Sequence, residues 1–332
     1  MNINNIRNKI IDNINLSEDE SVFLFDNIMN GSLTDIELAS ILIGLRMKGE
    51  TKEELIGAAK IMREKCLKIN SPENTVDTCG TGGDMSNTLN ISTAAALVAA
   101  SAGAIVTKHG NRSVSSKSGS ADMLEKLGYQ ISDNPKDIEK SLGDFNFCFL
   151  FAQFHHSAMK HVINVRKTLA TRTIFNLIGP LSNPANTKNQ LLGVYDKKWL
   201  STHCEALKAL GSNQALVVHG LDGLDEITLT NDTLIAELKN NQINEYVFKP
   251  KEYGYEYINI EDIKGGDPEY NAKCFMQMID GKNPAFQKII EINSGVALYL
   301  CQKVKNFKEG FELSKKVITE GKTKEFIEKI IK

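Results

Sequence analysis

Hydrophobic positions in the first 67 residues recur at the spacing of amphipathic helices. One stretch opens with a Thr-x-x-Glu capping sequence at 34–37, closes at Gly49, and carries four apolar residues at this spacing: Ile36, Ala39, Ile43 and Met47. A second Thr-x-x-Glu sequence at 51–54 precedes another helical pattern. The polar, proline-containing residues 70–74 interrupt the helical pattern and predict a domain junction. We therefore expect a helical domain over residues 1–70.

The pattern changes after residue 75, where short apolar runs alternate with helical stretches. Strands are predicted at residues 75–78, 104–107, 145–152, 191–195 and 215–219. Such alternation predicts a mostly parallel sheet covered by helices. The predicted fold class is α/β: a small helical N-terminal domain and a large α/β domain, residues 71–332, around a central mostly parallel sheet.

The composition excludes several classes of protein. The formal net charge of −2 gives no electrostatic basis for binding nucleic acid or an anionic membrane. The N-terminus is polar and no apolar run reaches about 18 residues, so neither a signal sequence nor a membrane span is predicted. The cysteines are scattered without a Cys-x-x-Cys pair, which favours reduced, buried thiols. We expect a cytoplasmic protein.

The most specific local pattern is a glycine-rich loop in the sequence DTCGTGGDMSNTLNIST, residues 77–93. Gly80, Gly82 and Gly83 lack a Cβ, so the backbone can approach a phosphate closely. The helix that follows presents free N–H groups and the positive end of its dipole. Asp84 stands where a Walker A loop has lysine, and the third glycine of a dinucleotide fingerprint is missing. The pattern predicts an anion-binding loop of another kind; a turn without a ligand is the alternative.

A basic, serine-rich loop, KHGNRSVSSKSGSAD at 108–122, follows the strand predicted at 104–107. Loops at the carboxyl ends of parallel strands meet at one edge of the sheet, so this loop and the glycine loop should converge. Its cations and hydroxyl groups suit a polyanion such as a diphosphate: Lys108, Arg112, Lys117, Ser113, Ser115, Ser116 and Ser120. Taken alone, the sequence also fits a solvated basic loop.

Carboxylates follow the strand predicted at 215–219. Asp222, Asp225 and Glu226 lie within five residues of one another. Mg²⁺ favours one or two carboxylates together with phosphate oxygens and water, so we expect a Mg²⁺ site that faces the glycine loop. An acidic surface turn is the alternative.

Arg166 lies in a helix predicted to begin near Ser157. Its guanidinium could bind a planar carboxylate through two hydrogen bonds, although a surface arginine would have the same spacing. His155, His156 and His161 lack the spacing and the acidic partner of a zinc site.

These patterns, in this order, resemble the anthranilate phosphoribosyltransferase family. The matching stretches cover nearly the whole chain, and the one at 108–122 is highly specific: residues 33–51, 80–84, 90–93, 108–122, 172–185 and 219–226. The resemblance implies a nucleoside phosphorylase/phosphoribosyltransferase-like fold, a helical domain completed by helices near 168–190, and a homodimer. It implies transfer of the phosphoribosyl group of 5-phosphoribosyl 1-diphosphate (PRPP) to anthranilate, with release of pyrophosphate, in tryptophan biosynthesis.

The resemblance also implies roles for individual residues. The catalytic residues would be Lys108, His109 and Arg166. PRPP would contact Gly80, Gly83, Asp84, Thr88, Asn90, Ile91, Ser92, Thr93, Lys108, His109, Gly110, Asn111, Arg112, Ser113, Val114, Ser115, Ser116 and Ser120. Anthranilate would contact Gly80, Asn111 and Arg166, and Mg²⁺ would be bound by Ser92, Asp225 and Glu226.

Six positions depart from the residues common in the family: Met85, Leu89, Gln153, His156, Asn164 and Ala170. Met85 and Ala170 both stand where glycine is usual. Two other functions fit less well. One is a pentosyltransferase of the same fold with another acceptor, and the other is a non-catalytic protein that binds nucleic acid, which the near-neutral charge disfavours.

Overall fold

The computed structural model describes residues 1–113 and 117–331. The N-terminal part consists of α1 (Ile3–Ile11), α2 (Glu18–Met29), α3 (Asp35–Lys48) and α4 (Lys52–Lys65). Thr34 and Thr51 accept hydrogen bonds from the N–H groups of Glu37 and Glu54, and each glutamate side chain accepts one in return from the threonine's N–H. The two predicted capping sequences are thereby confirmed, and they fix where α3 and α4 begin.

The residues that α3 buries are not the four apolar residues, between 36 and 47, from which the helix was predicted. Leu38, Ile41, Leu42 and Leu45 form the buried face. Ile36 and Met47 are 83% and 82% exposed. Because α3 carries apolar residues on both faces, periodicity could not identify the side that meets the core.

Seven strands in the described part of the chain form one sheet in the order β3-β2-β1-β4-β5-β6-β7. They are β1 (Val76–Gly80), β2 (Val106–Gly110), β3 (Phe147–Phe151), β4 (Asn189–Gly193), β5 (Gln214–Gly220), β6 (Thr233–Lys239) and β7 (Gln242–Phe248). The first five in this order pair in parallel, while β6 and β7 pair antiparallel. The predicted α/β class with a mostly parallel sheet is confirmed.

The hairpin of β6 and β7 is the part of the sheet that the apolar runs did not predict. Asn240 and Asn241 connect the two strands, with φ of 51° and 61°. Asparagine tolerates this left-handed conformation better than most residues, and a pair of such residues is typical of a two-residue hairpin turn. The Asn-Asn pair in the sequence could therefore have predicted this hairpin turn.

Helices cover both faces of the sheet: α5 (Ile91–Ser101), α6 (Ser120–Leu127), α7 (Pro135–Phe145), α8 (Ala152–His155), α9 (Ile163–Leu169), α10 (Ile174–Ile178), α11 (Leu200–Ala209), α12 (Pro268–Ile279), α13 (Pro284–Leu300), α14 (Phe307–Thr319) and α15 (Lys322–Ile330). One core packs α5, α13 and α14 on one face. A second core joins α1–α4 to α9–α11 and the other face of β4 and β5. Among the described residues, no helix is long and apolar enough to cross a membrane.

Candidate active site

The glycine loop and the acidic cluster meet at the carboxyl ends of β1, β4 and β5. The Gly82 N–H donates a hydrogen bond of 2.9 Å to Asp225 Oδ2, and the Ser92 N–H donates one of 3.0 Å to Glu226 Oε1. A Cβ on Gly80 would lie 2.8 Å from Asp225 Oδ2, and one on Gly193 would lie 1.6 Å from the Asp225 carbonyl oxygen. Glycine is required at Gly193, where the Asp225 backbone leaves no room for a Cβ, and at Gly80 a Cβ would displace the Asp225 carboxylate.

Burial raises the pKa values of the two carboxyl groups in these contacts, Asp225 and Glu226. It raises the pKa of Asp225 to about 7, with repulsion from Asp84 adding to the effect. The pKa of Glu226 is raised well above its usual value, first by burial and then by Asp225. Among the described residues, neither carboxylate forms an ion pair with a lysine or arginine. Two adjacent, partly buried carboxylates without an ion-pair partner among the described residues fit the oxygen-donor set of Mg²⁺.

Lys108 is 1% exposed and does not extend into the basic loop. Its Nζ donates to the carbonyl oxygens of Thr78 and His109. The ammonium group therefore lies inside the protein, beside the carboxyl ends of β1 and β2. Its positive charge lowers the pKa of Glu226, whereas burial raises it. This position differs from the predicted direct contact with a diphosphate, because Lys108 belongs to a buried strand and not to the loop after it.

His109 faces the opposite side of the sheet from Lys108, as alternation along a strand requires. Its N–H donates to Asp77 Oδ1 at 3.1 Å, and its ring centroid lies 5.3 Å from that of His156. Burial, followed by the neighbouring His156, lowers the pKa of His109 well below its usual value. The imidazole of His109 is therefore neutral at pH 7.

The loop after β2 is organised by Asp122 in the first turn of α6. Its carboxylate accepts hydrogen bonds from the N–H groups of Ser113 (3.1 Å) and Gly119 (2.9 Å) and from Arg112 Nη1 (2.9 Å). Arg112 also pairs with both oxygens of Glu125. The Arg112 charge is thus compensated within the protein, which differs from the prediction that it is available to a polyanion. Val114, Ser115 and Ser116 lie outside the described residues.

The other residues predicted to bind PRPP differ in side-chain exposure and in hydrogen bonding. Ile91 and Thr93 are 1% exposed in the first turn of α5, and the Ile91 N–H already donates to the Leu89 carbonyl oxygen at 2.8 Å. The side chain of Asn90 donates to the Ser118 carbonyl oxygen and accepts from Asn271. The remaining positions lie at the converging strand and helix ends: Gly80, Gly83, Asp84, Thr88 and Ser92 near the glycine loop, and Gly110, Asn111, Ser113 and Ser120 near the loop after β2.

Arg166 lies in α9, which begins after a short turn of 3₁₀ helix at Ser157–His161 and not at Ser157 itself. Its guanidinium carbon is 5.5 Å from the centroid of the Phe175 ring. Burial lowers the pKa of Arg166. None of the ion pairs found in residues 1–113 and 117–331 involves this side chain. A half-buried arginine without an acidic partner is suited to bind the carboxylate of a ligand.

Arg172 and Tyr195 also belong to this region, and neither was predicted from the sequence to act in the site. Arg172 Nη2 donates to the Gly83 carbonyl oxygen, and the guanidinium carbon lies 4.0 Å from the centroid of the Tyr195 ring. Arg172 begins the matched stretch 172–185, but the sequence gives no signal that it reaches a loop 89 residues earlier.

A cavity of about 790 Å³ opens beside the glycine loop. Its walls come from three segments: residues 84–86, residues 222–224 with Thr230, and residues 258–260 with Lys264. The cavity is large enough for a small ligand, and Asp84, Asp222 and Lys264 give it a polar lining. The space lies on the Asp84 side of the acidic pair.

Comparisons with known proteins agree on the family. Residues 72–324 match the glycosyl transferase family, a/b domain, and residues 4–66 match the glycosyl transferase family, helical bundle domain. The anthranilate phosphoribosyltransferase of Alkaliphilus metalliredigens is 45% identical over 326 residues, which are 98% of this chain and 96% of that protein.

Two solved structures extend this similarity to the fold. The anthranilate phosphoribosyltransferase of Thermus thermophilus has a TM-score of 0.92 and 36% identity, with 98% of each chain covered. The Saccharomyces cerevisiae enzyme, in complex with PRPP and Mg, has a TM-score of 0.83 and 28% identity over 95% of this chain and 91% of that one. This chain belongs to the anthranilate phosphoribosyltransferase family.

Proposed function

We infer that this protein transfers the phosphoribosyl group of PRPP to the amine of anthranilate, giving N-(5-phosphoribosyl)anthranilate and pyrophosphate in L-tryptophan biosynthesis. It is a glycosyltransferase of the pentosyl-transferring class. The observation that carries this inference is the contact of the glycine loop with the partly buried pair Asp225 and Glu226, in a chain 45% identical to an anthranilate phosphoribosyltransferase over nearly its full length. A glycine loop and a helix N-terminus beside two carboxylates suit a metal-bound diphosphate.

We propose that the PRPP positions predicted from the resemblance line this site. The glycine loop and the first turn of α5 face the diphosphate with backbone N–H groups and the positive end of the helix dipole. Lys108 acts through its charge from beneath the strand ends. Ser92, Asp225 and Glu226 would hold Mg²⁺, and the bound ion would neutralise charge on the departing pyrophosphate. The yeast relative was crystallised with PRPP and Mg, which supports this assignment.

We propose that Arg166 binds the anthranilate carboxylate, while Asn111 and the Gly80 region contact the same substrate. Holding the acceptor in this way directs its amine towards C1′ of the ribose, on the face opposite the diphosphate. C1′ gains oxocarbenium character as the diphosphate departs, so no protein nucleophile is needed. The amine can lose its proton after the bond to C1′ has formed, and His109, with its lowered pKa, would be only a weak acceptor for it.

Three further properties are proposed. The helical domain comprises residues 1–70, completed by helices near 168–190, and α9 and α10 do pack against α3 and α4. The protein forms a homodimer through the helical domain, where Ile36, Ile43 and Met47 give α3 an apolar outer face. It works in the cytoplasm, where its six free thiols would remain reduced.

Loss of anthranilate fluorescence in the presence of PRPP and Mg²⁺ tests the function. We expect turnover by the wild-type protein and, for Arg166→Ala, a KM for anthranilate raised at least about tenfold, since a charged hydrogen bond contributes about 1.5–3 kcal/mol. Lys167→Ala, which removes an exposed cation from the same helix, is the matched control. Turnover with another aromatic amine or base, but not with anthranilate, would identify a same-fold enzyme with a different acceptor.

A further inference from the structure

Arg172 connects the glycine loop to two other parts of the molecule. It lies in the short connection between α9 and α10, and its guanidinium is held between the Tyr195 ring and the Gly83 carbonyl oxygen. In the described part of the chain it forms no ion pair with a carboxylate. The positively charged guanidinium of Arg172 therefore donates to a neutral backbone carbonyl, that of Gly83, next to the site proposed for the diphosphate.

The contact constrains a part of the loop where two consecutive glycines permit other backbone conformations. Gly82 and Gly83 have φ of 65° and 81°, and glycine can leave such a conformation at little cost. A peptide unit is planar, with its C=O and N–H pointing in opposite directions. Fixing the Gly83 carbonyl towards Arg172 therefore fixes the Asp84 N–H on the opposite side. Rotation of this peptide would exchange an N–H donor for a carbonyl oxygen, which repels an anion.

The space at Gly83 is shaped by the same side chain. A Cβ on Gly83 would lie 3.2 Å from Arg172 Nη2 and 3.3 Å from Arg172 Nε. Tyr195, on which the guanidinium rests, is itself joined to the loop, because its N–H donates to Thr81 Oγ1 at 3.1 Å. The loop, the arginine and the tyrosine thus form one closed set of contacts.

The other end of Arg172 is held by the helical domain. Arg46, near the end of α3, donates from Nη1 to the Arg172 carbonyl oxygen at 2.7 Å and to the Thr171 hydroxyl. A displacement of α3 relative to the sheet would therefore be transmitted to the Gly83 peptide through two consecutive hydrogen bonds. No other hydrogen bond in the described residues joins α3 to this connection.

We propose that Arg172 is a positioning residue for the phosphoribosyl transfer: it holds the Gly83–Asp84 peptide in the orientation that binds the diphosphate and links that orientation to the helical domain. The proposal rests on the proposed function. It gives Arg172 a role towards PRPP and none towards anthranilate, which the proposed function assigns to Arg166.

The test compares Arg172→Ala, Arg172→Lys and the control Lys167→Ala in the full chain. We expect Arg172→Ala to raise the KM for PRPP about tenfold, the loss of one charged hydrogen bond, while the KM for anthranilate and kcat change less than about threefold. Arg172→Lys keeps the charge but loses the planar stacking, so its effect should be intermediate. Arg46→Ala should act in the same direction and more weakly, because it removes only the hydrogen bonds behind Arg172.

Calorimetric titration with PRPP and Mg²⁺, without anthranilate, separates this proposal from the proposed function. If the wild type binds PRPP but transfers nothing to anthranilate, the proposed function fails, and weaker PRPP binding by Arg172→Lys still supports the positioning role. A raised KM for anthranilate with unchanged PRPP binding would overturn the proposal. So would equal losses in every parameter together with a lower melting temperature, since these indicate a purely structural contact.

Discussion

Asp225 and Asp122 are two carboxylates that each hold a loop of the proposed active site, and their surroundings are opposite. Asp225 binds the glycine loop across 143 residues of sequence, whereas Asp122 binds the ends of its own loop across nine and three residues. Burial raises the pKa of Asp225 to about 7. Burial acts on Asp122 in the same direction, but the N–H groups of Gly119 and Ser113, together with Arg112, lower its pKa below the usual value.

The difference shows which carboxylate has its partners within the protein. Asp122 receives two backbone N–H donors and a guanidinium, so its negative charge is already stabilised. Asp225 receives one backbone N–H and faces two further carboxylates, Asp84 and Glu226. A carboxylate whose charge is destabilised by its surroundings in this way is suited to bind a cation that arrives with a substrate.

Removing the charge of Asp225 should have the largest effect on activity. We expect Asp225→Asn to lower kcat/KM by about a hundredfold or more, because the amide is a poor Mg²⁺ ligand and the diphosphate loses its neutralising ion. The apoprotein should nevertheless become more stable, since one buried charge is gone. Initial rates over a Mg²⁺ series and thermal melts would measure both effects. Activity close to wild type would contradict the metal assignment.

Acidity should affect the stability contributions of the two carboxylates in opposite ways. Asp225 has a raised pKa in the folded state, so its contribution is present below the unfolded value near 3.8 and is lost as pH rises through about 7. The lowered pKa of Asp122 gives a contribution that is present above about 3.8 and is lost as pH falls through its folded value.

Melting curves between pH 5 and 8 can measure the Asp225 contribution. We expect the wild type to lose roughly 2–3 kcal/mol of stability over this interval from Asp225, and Asp225→Asn to lose less. Mg²⁺ with PRPP should restore more stability at pH 8 than at pH 5.5, because the metal needs the ionised carboxylates. An identical pH dependence in the wild type and the variant would show that Asp225 is already ionised at pH 5.

Removing the Asp122 carboxylate should reduce activity less than removing the charge of Asp225. We expect Asp122→Ala to raise the KM for PRPP by about tenfold and to destabilise the protein by about 1–2 kcal/mol, because it releases two backbone donors and ends the cap of α6. Asp137→Ala, in the first turn of α7, is a matched control that removes an acidic residue from a helix start away from the site. Full activity of Asp122→Ala at low PRPP concentration would show that the loop holds its shape without this residue.

The smallest expected effects come from two departures from the family pattern. Met85 and Ala170, where the resemblance leads us to expect glycine, have φ values of 62° and 47°. A left-handed conformation costs a residue with a Cβ about 1–2 kcal/mol, which the greater freedom of glycine in the unfolded chain partly offsets.

Ala170→Gly should therefore stabilise the protein by up to about 1 kcal/mol, with a melting temperature about 2 °C higher. Ala209→Gly, in the last turn of α11 where φ is not positive, should lower stability by a similar amount. Met85→Gly tests the glycine loop in the same way and should leave the long-range contacts of Asp225 in place. A loss of stability in Ala170→Gly would show that this turn is not strained.

Local sequence determined the elements and the types of loop in this protein. The Thr-x-x-Glu sequences fixed the starts of α3 and α4, and the alternation of apolar runs with helices indicated a parallel sheet whose loops converge. These features depend on short-range hydrogen bonds and on periodicity, which are properties of neighbouring residues. The order of the motifs was also sufficient to indicate the family.

The tertiary structure decided which side chains face the site. It placed Lys108 beneath the sheet, paired Arg112 with Asp122 and Glu125, and brought Arg172 to the Gly83 carbonyl. It also determined which face of α3 is buried, since this helix carries apolar residues on both faces. Such contacts join residues that are far apart in sequence, and their free energies depend on burial and on charges supplied by several elements at once. Periodicity and residue type carry no information about those surroundings.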